Sequence, residues 1–279
     1  RGIYDDTRFN NLQATIEQRG AVTTIHQARA NLLGGSLTLQ GSYRAKTDKE
    51  PLSFDLEGGL KQVKASQLLQ KIGGGRELTG PVSLQAKLRA RGNDKKALFS
   101  TLHGSVTIAA EAGVLKRFNT LSKVISLLNV SQLLSFSLPD MAKGGMPYNR
   151  ISGTANIKDG IIRTDDFFIN SNVMNMSAVG SVDLPREQVS ITIGAQPLQT
   201  VDKIINRLPV VGWILSGGRG HTLSTYFQVS GNMKDPEVTA IPVQSIAVGT
   251  MEVFQRVFQL PFKLFTDTGE VLLNSGRKK

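Results

Sequence analysis

No cysteine occurs among the 279 residues, which excludes a disulfide framework and thiolate metal sites and leaves the redox character of the compartment open. Histidine is nearly as scarce. His26, His103 and His221 are the only imidazoles, and none stands three or four residues from another or in the setting of a triad. Solvated or singly hydrogen-bonded histidines on strand edges are expected, and neither a metal centre nor an enzyme. Aromatic residues make up 6% of the chain. The basic positions are interleaved with aliphatic ones rather than with stacking rings, so nucleic acid is not an expected partner. No uncharged apolar run reaches the ~18 residues of a helical membrane span, and the opening RGIYDDTRFN is no signal peptide. Because the chain starts at Arg1 without a methionine, it is expected to be an excised piece of a longer protein whose anchor lies upstream.

What the sequence does have is charge of one sign and a strict alternation. Lysine and arginine number 33 against 22 acidic residues, a formal net charge of +11, which favours anionic partners such as nucleic acid, phospholipid headgroups or lipopolysaccharide without choosing among them. Val82, Leu84, Ala86, Leu88 and Ala90 alternate with Ser83, Gln85, Lys87, Arg89 and Arg91, the pattern of a strand with one apolar face. Leu37 and Leu39, then Leu52, Phe54 and Leu56, then Val189, Ile191 and Ile193 read the same way, between Gly, Asn or Asp turn signals. A large antiparallel sheet follows.

The alternation occurs twice. Phe9-Asn-Asn-Leu-Gln-Ala-Thr is matched by Tyr148-Asn-Arg-Ile-Ser-Gly-Thr, Gly41-Ser by Gly180-Ser, Phe54 by Ile193 and Gly92-Asn by Gly231-Asn, always at an offset of 139 residues. Gly74-Gly-Arg recurs as Gly217-Gly-Arg at 143, so a short insertion in a loop is compensated before Gly231. Two tandem units are expected, residues 1–147 and 148–279. Each comprises strands, a short helix (64–72 and 200–208), a Gly-rich turn, a further strand and a closing amphipathic helix (Leu115 to Asn129, and Ile246 to Phe265). Because one such unit cannot hide its apolar face, neighbouring copies should stack into a continuous sheet.

Other features carry little chemistry. The Gly73 and Gly217 loops lack the spacing of a phosphate-binding loop and are expected to be turns. Asp5-Asp6 and Asp165-Asp166 are adjacent along strands, so their side chains point to opposite faces and make poor acid-base pairs. Trp213 sits in the apolar run Leu208-Pro-Val-Val-Gly-Trp-Ile-Leu, a loop that either caps the sheet or touches a membrane.

Gly180-Ser-Val-Asp-Leu, Val210-Val-Gly-Trp-Ile-Leu, Gly231-Asn-Met-Lys-Asp-Pro-Glu-Val and the closing Gly249 to Phe265 segment resemble the C-terminal region of AsmA-like proteins. The resemblance is best over residues 148–270. It implies a repeating β-groove protein of the bridge-like lipid transfer kind, carrying phospholipid between the inner and outer membranes of a diderm envelope. It also implies a periplasmic location and an inner-membrane anchor upstream. No cofactor is implied. Other proteins of this kind are tied to outer-membrane biogenesis, so an envelope scaffold with a protein partner is the alternative.

The fold expected is therefore mainly β with a few amphipathic helices: a curved antiparallel sheet of two repeats forming an open hydrophobic groove. A closed sandwich or barrel would use the same alternation to build a core. The expected groove lining is Val82, Leu84, Ala86, Leu88, Leu37, Leu39, Leu52, Phe54, Leu56, Val189, Ile191 and Ile193. Phe118, Leu121, Ile125 and Leu128 form the apolar face of the first closing helix. In the last helix Phe254, Val257, Phe258 and Phe265 share a broad arc opposite Glu252, Arg256 and Lys263. With Phe262 and Trp213 they are the candidates for contact with an anionic membrane interface, a core helix being the competing reading.

Overall fold

The computed structural model describes residues 2–4, 7–71, 75–116, 145–197 and 224–259. The described residues build one antiparallel sheet of thirteen strands in which chain order is spatial order. The strands are β1 (Gly2–Tyr4), β2 (Thr7–Arg19), β3 (Val22–Leu32), β4 (Gly35–Arg44), β5 (Leu52–Lys64), β6 (Pro81–Gly92) and β7 (His103–Leu115). They continue with β8 (Met146–Lys158), β9 (Ile161–Asn170), β10 (Met174–Asp183), β11 (Gln188–Pro197), β12 (Thr225–Asn232) and β13 (Glu237–Ile241). The outermost strands do not pair with each other, so the sheet is open and the closed-barrel reading falls.

Local chemistry explains the meander. Two-residue connections such as Leu33-Gly34 and Asp159-Gly160 place both residues at positive φ, the primed turn whose twist matches that of the flanking strands. Gly41 and Gly180, matched in the sequence, both lie at positive φ, and a Cβ on either would collide with the carbonyl oxygen of Asp55 or Ser190 on the next strand. Only glycine lets the backbones approach so closely. Gly41→Ala and Gly180→Ala should each lower the unfolding free energy by about 1–3 kcal/mol, read as a shift in the urea midpoint. An unshifted midpoint in both would refute this account.

Helices are few. α1 (Ala65–Lys71) joins β5 to β6, close to the helix expected there. α2 (Lys95–Ser100) was not signalled by apolar periodicity; the Asp94 carboxylate caps it by accepting from the Ala97 amide at 2.8 Å. α3 (Val248–Gln259) falls inside the expected last helix, but Ile246 precedes it in extended backbone after a 3-10 turn at Val243–Ser245. Leu115 does not open a helix: it ends β7, pairing with Met146 and bridging Leu78. The rest of that expected helix from residue 117, including Phe118, Leu121, Ile125 and Leu128, and the helix at 200–208 lie outside the described residues.

The main buried cluster spans β5 to β12 and includes Val63, Val82, Ala110, Ile151, Ile169, Met176, Ala195 and Phe227. Tyr148 belongs to it, donating its phenol to the Thr79 carbonyl at 2.5 Å. Burial pushes this phenol from 10.0 up to about 12. The folded state thus holds the proton more tightly, a contribution fully present below pH 10 and lost as pH rises through about 12. Stability should therefore fall between those pH values, and Tyr148→Phe should flatten that part of the urea-unfolding profile. An unchanged alkaline limb would contradict it.

Candidate functional site

Directly opposed residues of an antiparallel pair share a face, so the register can be followed across the sheet. Ile16 opposes Ile25, which opposes Gly41, then Leu56, Leu88, Gly104, Ile157, Ile162, Val182 and Val189 in unbroken succession. This apolar row crosses β2 to β11. A second row runs beside it: Ala30, Leu37, Leu60, Leu84 and Ile108. Further along the same face Phe167, Ala178, Ile193 and Phe227 are paired in turn.

All twelve residues expected to line a groove lie on this face. Leu37 and Leu39 stand on β4 opposite Leu60 and Gly58; Leu52, Phe54 and Leu56 stand on β5 opposite Gly92, Ala90 and Leu88. Val82, Leu84 and Ala86 oppose Ala110, Ile108 and Val106, while Val189, Ile191 and Ile193 oppose Gly231, Val229 and Phe227. Ile16, Ile25, Ile157, Phe167 and Met176 belong to the same face but escaped the sequence reading. Extra residues in β2, β3 and β9 shift the parity within those strands and hide the alternation around Ile16, Ile25 and Phe167.

The face is not uniformly covered. Ile16 is 58% exposed, and Leu84, Ala86 and Leu88 are half-buried, whereas Val82 is 2% exposed and Phe227 fully buried. Apolar surface is thus most open in the N-terminal strands and most sealed towards β12.

On the reverse face α3 covers a patch between β9 and β12. Phe168, Ser177, Gly194 and Tyr226 succeed one another across β9 to β12 on that side. Phe254 packs on Tyr226 at a ring separation of 5.3 Å and on Phe258 at 6.2 Å, and Phe258 meets Phe168 edge-on at 6.4 Å. Gly194 makes room: a Cβ there would stand 3.2 Å from both helix rings. Phe254 is fully buried and Val257 nearly so. The exposure expected of a membrane-facing stripe is therefore corrected for these two residues, because the helix spends its apolar arc on the back of the sheet. Phe258 is half-buried in the same contact. Trp213, Phe262 and Phe265 lie outside the described residues.

No group of three or more His, Asp or Glu side chains among the described residues could hold a metal ion. His26 pairs with Glu17 at 3.3 Å and His103 with Asp159 at 3.2 Å, each singly. Asp166 accepts from the Thr154 amide at 2.6 Å, filling a hydrogen bond that the β8–β9 bulge leaves open, while Asp165 is exposed.

Comparison with known proteins adds the decisive observation: the family model for the YhdP protein matches residues 3–238. The chain belongs to the YhdP family. The AsmA-like resemblance read from the sequence stands with it. A curated relative, the intermembrane phospholipid transporter YhdP of Escherichia coli (strain K12), is 25% identical over 158 residues, covering 51% of this chain. The match spans 12% of that relative's own length. No solved structure matches the chain. Within the described part of this YhdP-family chain, no helix is long and apolar enough to cross a membrane.

Proposed function

We propose that this chain is one stretch of a phospholipid-conducting trough, the apolar face described above being its floor and phospholipid acyl chains its occupants. The observation that carries the reading is the apolar row that crosses β2 to β11 on an open sheet, with its middle only half-buried. Large contiguous apolar surface left to water marks a binding surface. Strands stand about 4.8 Å apart in the hydrogen-bonding direction, so a row over ten strands runs roughly 43 Å. That exceeds the ~30 Å hydrocarbon core of a whole bilayer. Acyl chains lying along the row, across the strands, could follow one another in file, each buried methylene contributing about 0.8 kcal/mol.

The printed function of the E. coli relative, intermembrane phospholipid transport, supports the same ligand. In this reading the trough is curved and non-enzymatic, and it works in the periplasm as part of an anchored envelope protein. It comprises two tandem units, residues 1–147 and 148–279. Supporting the tandem reading, β2 and β8, and likewise β4 and β10, begin and end at positions 139 residues apart.

The test is mass spectrometry of lipid extracted from the natively purified chain. Phospholipid at a stoichiometry of about one or more per chain is expected. A protein that is folded and lipid-free after expression in a diderm host would sink the proposal.

A further inference from the structure

The face opposite the trough bears a second feature, and we propose that it is an anion site for a phosphate-bearing group, held between β4, β5 and β6. The register builds it from two neighbouring rows. In one, Arg44 opposes Ser53, which opposes Arg91; in the other, Ser42 opposes Asp55, which opposes Arg89, which opposes His103. Arginines thus flank serines. With strands about 4.8 Å apart, the Arg44 and Arg91 backbones stand roughly 10 Å from each other, and Arg89 is about 7 Å from Arg91 along the strand. The short serine side chains leave a cleft of about 520 Å³ lined by these residues and Thr101.

The charges in the cleft do not cancel. Arg44 reaches Glu50 and His103 reaches Asp159, but Arg89 and Arg91 make no ion pair with a described residue. Asp55 is the one carboxylate in the lining. Three arginines, two serine hydroxyls and a single carboxylate line the cleft, a balance of charge that favours an anion. The planar guanidinium forks match the oxygens of a phosphate, which can accept from several arginines at once. A phospholipid headgroup and free phosphate share that chemistry. The arginines and serines of this site stand on the strand positions of the face opposite the trough, so it goes beyond the trough reading and can fail or stand separately.

Titration calorimetry on the full 279-residue chain should be run with inorganic phosphate and with monomeric dihexanoylphosphatidylglycerol. Saturable binding is expected, weakening by about tenfold for each of Arg89→Gln and Arg91→Gln, with little change for Lys61→Gln elsewhere on the same face. Ser53→Leu, which fills the cleft and keeps every arginine, should weaken binding as well and guards against misfolding of the arginine variants. Equal affinity for both probes would identify free phosphate as sufficient; tighter lipid binding that the arginine variants weaken would identify a headgroup, whereas lipid binding that they leave unchanged belongs to the trough. Binding that is absent, or that survives both Arg89→Gln/Arg91→Gln and Ser53→Leu, overturns the site. The arms also separate this site from the trough: the arginine double variant should still carry co-purified lipid, and Leu84→Asp should still bind inorganic phosphate.

Discussion

Leu84→Asp is expected to strip most of the phospholipid from the chain while leaving the sheet folded. Leu84 lies mid-strand on β6 between Leu60 and Ile108, on the apolar face where side chains are half-buried. In the empty protein a carboxylate there keeps much of its hydration. Beneath an acyl chain it would lose it, and burying an unpaired polar group costs roughly 2–7 kcal/mol. That loss cancels the gain from several methylenes at about 0.8 kcal/mol each, so binding suffers more than folding. Gln85→Asp places the same charge one residue along, on the exposed polar face, and should change neither property. Val82→Asp, two residues back at 2% exposure, should instead destabilise the whole sheet. The measurement is phospholipid per mole of chain, with a thermal melt of each variant. Should Leu84→Asp fail to fold as Val82→Asp does, the face is a sealed core and the trough reading goes with it.

Phe254→Ala should lower the unfolding free energy by about 3–5 kcal/mol. The Phe254 ring is fully buried between Tyr226, Phe258 and the backbone at Gly194. Removing it leaves a void that the rigid sheet cannot fill. Gly194→Val should act from the other side by forcing the 3.2 Å contacts with both rings apart, whereas Val248→Ala at 75% exposure should be nearly silent. Urea unfolding of the three variants checks this. A Phe254→Ala protein as stable as the parent would mean that α3 does not depend on the sheet, and the membrane-facing role would return.

Strands with unbroken alternation were legible from sequence, because a period of two has one structural interpretation once turns bound it. β6 and β11 are the clearest cases: Val82 to Ala90 and Val189 to Ile193 fall on the face assigned to them. The rest of that face was harder to read. In β9 the bulge around Asp165 and Asp166 shifts the inward parity between Ile162 and Phe167, and such a shift depends on the partner strand. α2 was missed because six residues, Lys95–Ser100, are too few to show helical periodicity; only the Asp94 cap announced it. The arginine cleft escaped for a related reason. Arg89 and Arg91 looked like the solvated half of an alternation, and their meeting with Arg44 exists only across the β4–β5–β6 register.

The amino-acid sequence by itself determined that the chain would be an antiparallel sheet with one apolar side, since alternation and turn chemistry act over a few residues. It also determined that α3 would be amphipathic. Only the tertiary structure decided what those apolar sides meet. The sheet stays open because β1 and β13 find no partner in each other. The α3 arc packs on the reverse face because Gly194 leaves space for Phe254 and Phe258 between Phe168 and Tyr226. An apolar stripe specifies that water will be excluded, but which surface excludes it is a matter of shape, set by residues far apart in the chain and brought together only by the register of the strands.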